Sequence, residues 1–443
     1  MLTPLANVGD YLFWAEPPEE ESEFTPEDPL ALDYLAQQVG LLLLPALTTR
    51  TSRAQTYAVV LYGLALVDRA THDRQLGADD RTREHLFLRW ERFWALSVME
   101  YRRGELARGD PDAMRGVRGA KRNWWPGDRP LELDFLLIDR QNELASLGAY
   151  LSSLRACGLV LPGSLRVSPL GQDIVDAFWD EPEENSKLSA YDDYALSALD
   201  PDVTKVFRKR SYLTLAKIGE RARLSCLTAL ARRRQQDRLW RAIFGDARDA
   251  TTLPLSEIVL SAARKRVIAP REVLMSALEG RWMELTDDLR ERLEVALAFG
   301  DVFRELQTVF NATFEAVSAA GWILDSGEVV REIYTERPEL RRACSALVRT
   351  SFGRRLRERL HASAFLELIS RLAAASPADA LDLILANHRE VQRERRRAPW
   401  LRREDSKLVV DVTTYNAGAV EAKFPPLKLD VVQSLLRDLG RIR

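Results

Sequence analysis

Apolar residues recur at intervals of three and four along almost the whole chain, as at Tyr34, Leu35, Val39 and Leu42, at Val59, Leu61, Leu64 and Val67, and at Leu289, Leu293, Ala296 and Leu297. That spacing gives a helix one apolar face and gives a strand none, so it steers the chain toward a core of helix packed on helix. With 443 residues, 46% of them hydrophobic, the chain has enough apolar side chains for two or three such domains. Strand-like alternation is confined to Leu159 to Val167 and Leu408 to Phe424. Each has turn residues at its middle, Pro162-Gly-Ser164 and Asn416-Ala-Gly418, as a hairpin requires. The expected fold is mainly α, a multi-helix protein with a small C-terminal β-hairpin. No repeat is visible at the periods of roughly 33 to 47 residues typical of helical solenoids.

Helix starts are written locally. Ser376, Pro377 and Asp379 supply a cap, a first-turn proline and an acid at a helix N-terminus, and Thr286 with Asp287 and Asp288 repeats the logic, as does Pro254 with Ser256. Linker-like composition occurs at Glu16 to Pro29, Gly104 to Pro130 and Asp180 to Ser189. These divide the sequence into an N-terminal helical segment (1–109), a module carrying a basic Trp-containing loop (110–184) and a large C-terminal helical domain (185–443).

Within the middle module the order is helix, hairpin, helix. Leu144, Leu147, Leu151 and Leu154 share one face, Gly158 stands where a left-handed residue ends a helix, Leu159-Val160 and Leu165-Arg166-Val167 flank the turn, and Ser168-Pro169 starts a helix with Ile174, Val175 and Phe178 inward. These residues resemble the C-terminal half of MarR-like winged-helix domains over roughly forty residues. The resemblance implies a winged-helix-like module in which Ser152, Ser153 and Arg155 face a DNA groove and Arg166 at the wing meets a phosphate. Winged helices also serve as protein-docking modules, and the motif's first two helices have no clear place in the apolar run Leu131 to Asp139.

The formal net charge is only −2 although 29% of residues are charged, so a charged partner must be sought in local clusters. The loop Arg115 to Gly127 combines Arg115, Arg118, Lys121 and Arg122 with the adjacent indoles of Trp124 and Trp125, a composition that can grip phosphates and stack a base, or else serve as a subunit contact or close a core. Arg208 to Arg241 is the most basic stretch. Arg208, Lys209, Arg210, Arg232, Arg233 and Arg234 are among eleven cations opposed by Glu220 and Asp237 alone, and a long helix with one cationic face is the expected form. Such a face serves nucleic acid, an acidic partner or merely solvent. Arg389 to Arg403, with Trp400 inside it, is a second basic cluster. Thr48 to Arg53 is a hydroxyl-rich helix start that suits either a simple cap or a bound phosphate.

Signals for catalysis are sparse. Asp411, Glu421 and Lys423 in the expected C-terminal hairpin superficially resemble the PD-(D/E)xK nuclease pattern and imply Mg²⁺ chemistry, but no Pro-Asp precedes them and Pro425-Pro426 follows at once. His72, His85, His361 and His388 have no ligand-spaced partner, the cysteines Cys157, Cys226 and Cys344 are far apart, and no phosphate-loop, dinucleotide or nucleophile-elbow motif occurs. No cofactor is expected. The start of the sequence lacks a basic segment followed by an apolar run, and Leu41 to Leu44 falls far short of the ~20 apolar residues that span a bilayer, so the expected setting is cytoplasmic and away from membranes.

Pro26-Glu-Asp-Pro-Leu30, Leu43-Leu-Pro-Ala-Leu-Thr-Thr-Arg-Thr-Ser-Arg53 and Leu154 to Phe178 together resemble a loosely defined group of uncharacterised bacterial proteins. Members are encoded near helicases, ATPases or nucleases of phage-defence systems. The resemblance implies a non-enzymatic adaptor that binds DNA or another nucleic acid while a partner subunit supplies the chemistry. A protein-only scaffold and a divergent metal-dependent nuclease are the alternative expectations.

Overall fold

The computed structural model describes residues 28–73, 79–107, 109–179, 187–228, 232–245, 251–359, 361–411 and 420–442. The fold is mainly α, 62% helical with 19 α-helices among the described residues and no sheet of more than three strands, so helix packing supplies the core. No helix among the described residues is long and apolar enough to cross a membrane. The chain forms two compact units, each assembled from two separated stretches. One joins the residues up to Leu43 to Ile268–Leu427, and the other joins Leu44–Val267 to the chain from Lys428 onward.

The first unit is organised on the 33-residue helix Asp287–Ala319, which begins as its sequence indicates, with the Thr286 hydroxyl accepting from Leu289 N at 3.3 Å and acids in its first turn. Phe299 on this helix stacks with Phe352 and meets Phe365 edge-on. Ser376 caps the Pro377–Glu394 helix by accepting from Asp379 N at 3.2 Å. Buried in that helix, His388 accepts from Trp400 N at its Nε2 and faces the Pro29 carbonyl with Nδ1, both at 2.9 Å, so Nδ1 carries the proton and the ring is neutral.

Burial pulls the His388 pKa down from 6.5 to about 4. A base whose folded pKa is depressed binds its proton more readily when unfolded, so its stabilising effect is complete above the unfolded value and disappears as pH falls through the folded one. The first unit is therefore expected to lose about 3 kcal/mol between pH 6.5 and pH 4 through this ring. Urea melts across that range should show the loss, and His388→Gln, which keeps a donor and an acceptor but does not titrate, should flatten it. An unchanged acid slope in the variant would remove His388 as the cause.

The second unit is built around the helices Ala54–Asp73 and Asp80–Tyr101. Tyr62, Trp90, Phe178 and Trp179 form one aromatic cluster between them and the Pro169–Asp176 region. Asp80–Tyr101 is buried on several sides and takes charged residues inside, where they satisfy the ends of other helices. Glu91 accepts from Ser146 N at 2.7 Å and Leu147 N at 3.3 Å at the start of the Ser146–Ala156 helix. Arg89 donates to the carbonyls of Ala198 and Asp200 just past the Lys187–Ala198 helix.

Gly219 in the Leu215–Ala222 helix lies directly on the backbone of Ser97 and Val98, where a Cβ would overlap the Ser97 carbonyl oxygen. The chain re-enters this unit at Lys428, whose buried Nζ donates to the carbonyls of Leu44 and Leu47 and whose pKa falls to about 7 through burial. In the Leu429–Asp438 helix that follows, Asp438 accepts from Arg53 Nε and Ala54 N, both at 3.0 Å, and so caps the Ala54–Asp73 helix.

Two expectations need correction, and at a third place one of two alternatives falls away. The stretch 208–241 is not one long helix but a hairpin of Lys209–Arg210 with Leu213–Thr214, the short helix Leu215–Ala222, a 3-10 turn at Leu224–Thr228 and the helix Arg233–Ile243. The backbone groups freed at the break find partners elsewhere: the Trp94 indole donates to Ala222 O at 2.9 Å, and Asp112 accepts from Ser225 N at 2.9 Å. The C-terminal hairpin is present, but it pairs Leu401–Glu404 with Lys407–Val410, and Ile323–Asp325 adds a third strand. Residues 416–418, the expected turn, lie outside the described residues, and 420–426 is not strand. The helix start at Thr48 to Arg53 offers no open anion site, since Asp438 occupies the N-terminus of the helix it precedes.

Candidate nucleic-acid interface

Two stretches distant in sequence meet around Arg208. Leu131–Glu132 pairs antiparallel with Lys205–Val206, and Leu133 N donates to Thr204 O at 2.9 Å. This ladder sets the basic Trp loop beside the following hairpin. Arg208 then crosses between them: its Nε donates to Arg129 O at 2.8 Å, Nη2 to the Trp125 carbonyl, and Nη1 pairs with Glu100. Its guanidinium also lies 5.8 Å from the Trp124 ring, whose Nε1 donates to the same Glu100 carboxylate at 2.7 Å. Gly104, at a φ of +78°, is required beneath that ring because a Cβ would run into it.

The two adjacent indoles therefore have different fates. Trp124 is half-buried and closes the loop onto the Asp80–Tyr101 helix, while Trp125 is 61% exposed. Phe207, at 66%, and Tyr212, at 49%, are also exposed. Burial alternates from Lys205 to Lys209, with Val206 buried and Arg208 turned inward while Lys205, Phe207 and Lys209 face solvent. Arg210 and Tyr212 sit at the tip of the hairpin, whose two-residue turn places Ser211 at a φ of +55°. Lys121 and Arg122 are exposed on the last turn of the Val117–Asn123 helix, where the helix dipole favours cations. The result is a surface of cations and aromatic rings held together by an Arg208 that is itself neutralised by Glu100.

The other expected site residues are placed as follows. Arg115 is half-buried with Nη1 donating to Leu144 O at 3.4 Å, and burial lowers its pKa; Arg118 is exposed on the Val117–Asn123 helix. In the winged-helix-like stretch the Ser146–Ala156 helix, the Gly158 turn at φ +61° and the Ser168-capped Pro169–Asp176 helix follow in the expected order, and the wing is a single bridge between Val160 and Val167. Arg155 and Arg166 are exposed, with Arg155 donating to Ser164 O at 3.0 Å. Ser153, expected on a groove side, is instead buried between the Tyr57 hydroxyl and Ala46 O, both at 2.6 Å, because that helix face packs on the Ala54–Asp73 helix. Arg232 is only 4% exposed and donates to Phe178 O and Arg221 O. Arg233 and Arg234 are exposed at the start of a helix that packs on Pro169–Asp176.

Sequence reasoning missed Lys205, Phe207, Tyr212 and the anchor Glu100. The alternation of Lys205 to Lys209 was a readable strand signal, obscured by the density of arginines that follows. In the first unit much of the second basic cluster is internally paired: Arg393 with Glu390, Arg402 with Glu404 and Asp411, and Arg403 with Asp382, while Trp400 is buried. That pairing also engages Asp411. Glu421 and Lys423 lie in an irregular segment instead of on a neighbouring strand, and no group of three metal-ligating side chains is found among the described residues. The chain matches no protein-family model, no curated protein and no solved structure.

Proposed function

We propose that the protein is a non-enzymatic nucleic-acid-binding adaptor, working in the cytoplasm beside a partner ATPase, helicase or nuclease of a phage-defence system. The observation that carries the binding role is the Arg208 cross-tie, which joins the Trp125 loop to the Lys205–Arg210 segment and gathers exposed cations and rings from both. The partner and the setting rest on the resemblance of the Pro26 to Leu30, Leu43 to Arg53 and Leu154 to Phe178 stretches to defence-associated bacterial proteins.

Reversing four charges tests the binding role. Lys121→Glu, Arg122→Glu, Lys209→Glu and Arg210→Glu combined should weaken binding to labelled oligonucleotides at low salt by at least about a hundredfold and reduce the slope of log affinity against log salt by roughly three, since each lost phosphate contact removes about 0.7 to 0.9. Reversal of Arg389 and Arg396 in the first unit should change neither. Wild-type protein that ignores nucleic acid at low salt, yet holds its partner after nuclease treatment, would instead establish a protein-only scaffold.

A further inference from the structure

We infer that this interface takes a single strand, whose bases stack on Trp125, Phe207 and Tyr212 while Lys205, Lys209, Arg210, Lys121 and Arg122 hold its phosphates. The inference rests on the nucleic-acid reading above and goes beyond it by naming the form of the ligand and the side chains that select it.

Three large rings exposed by about half or more are costly to leave in water unless something covers them. Here they lie on two short segments that Arg208 ties together, interleaved with cations. A duplex closes the faces of its bases against one another and offers such rings nothing to stack on except its ends. An unpaired strand offers a π-face at every nucleotide and a charge between each pair, which is the alternation that Lys205, Phe207 and Lys209 present. Arg208 cannot itself serve as a phosphate clamp, because Glu100 and two carbonyls already engage it. Its role is positional.

The alternative, reading a duplex through the winged-helix-like unit, finds little to work with. The Ser146–Ala156 helix, which would enter the major groove, buries Leu147, Tyr150, Ser153 and Leu154 and has its N-terminus engaged by Glu91. Its exposed side chains are few, and its one arginine, Arg155, is turned onto the Ser164 carbonyl. Base-edge readout needs several polar side chains free at a helix face.

The test is anisotropy with labelled oligothymidylate, oligouridylate and a blunt duplex, read together with tryptophan quenching and melting temperature. Wild type should bind the single strands at least tenfold more tightly than the duplex, and the ratio between the two single strands reports DNA against RNA. Phe207→Ala and Tyr212→Ala should each weaken single-strand binding roughly tenfold without shifting the melting temperature. Trp125→Phe, which still stacks, should keep the affinity and lose most of the quenching, whereas Trp125→Ala should lose both. Equal binding of duplex and single strand, with the ring variants neutral and the charge reversals still disabling, would overturn stacking and leave nucleic-acid binding in place. No binding of any probe at low salt would overturn both and assign the rings to a protein surface.

Discussion

Gly219→Ala is expected to destabilise the second unit by about 3 kcal/mol, the upper end of what one added methyl group does in a packed core. The obstacle is not a side chain that can rotate away. It is the backbone of Ser97 and Val98 near the C-terminal end of Asp80–Tyr101, a helix held by the buried rings of Trp90, Phe93 and Trp94. The two helices must separate, which also breaks the bond from Trp94 to Ala222 O at the end of Leu215–Ala222. For a unit of this size the loss corresponds to a fall in melting temperature of about 6 to 12 °C. Because Leu213–Thr214 leads directly into Leu215–Ala222, oligonucleotide binding should fall as well. Lys217→Ala, on the exposed side of the same helix, should change stability by less than about 0.5 kcal/mol. A Gly219→Ala protein that melts with wild type would show that the two helices do not cross this closely.

Replacing Arg208 should separate charge from geometry. Arg208→Ala strands the Glu100 carboxylate, already largely shielded from water, with the Trp124 indole as its remaining donor here, and should lower stability by about 3 kcal/mol. Arg208→Lys restores a positive charge for Glu100 but not the separate bonds to the Arg129 and Trp125 carbonyls, which use guanidinium nitrogens pointing in different directions. Stability of the Lys variant should therefore lie between wild type and Ala. Its oligonucleotide affinity should remain as low as that of Ala, since the Trp125 loop is no longer fixed to the hairpin. Wild-type affinity in Arg208→Lys would mean that the loop keeps its place without the cross-tie.

What could be read from the sequence is what is decided within a few residues. Ser376 with Pro377, Thr286 with its two acids, Ser168 with Pro169 and the left-handed Gly158 all mark helix ends where they were expected, because a cap is satisfied by its own neighbours. The mainly helical architecture follows from the same short-range periodicity. Satisfaction at long range was not readable. The break after Ala222 depends on Trp94 and Asp112, the cap of Ala54–Asp73 comes from Asp438, and the buried Arg89 and Glu91 look in sequence like surface charges on a polar helix. The site shows the same division. Its basic loop and Arg208 to Arg210 stand out by composition, but their meeting depends on Leu131–Glu132 pairing with Lys205–Val206 across more than seventy residues, and counting arginines could not separate the inward Arg208 and Arg232 from the outward Lys209 and Arg210.

The route by which the second unit is closed sets a clock on its birth. Leu44–Val267 leaves the ribosome lacking the helix whose Asp438 caps Ala54–Asp73 and the Lys428 side chain that gathers the Leu44 and Leu47 carbonyls. Residues 268–427, the larger part of the other unit, must be synthesised before either arrives. At about 5 to 20 residues per second that is a delay of roughly 8 to 30 seconds. During this interval the nascent chain holds an incomplete second unit while the first is still being made, and a chaperone that binds exposed apolar helix faces has its best opportunity then.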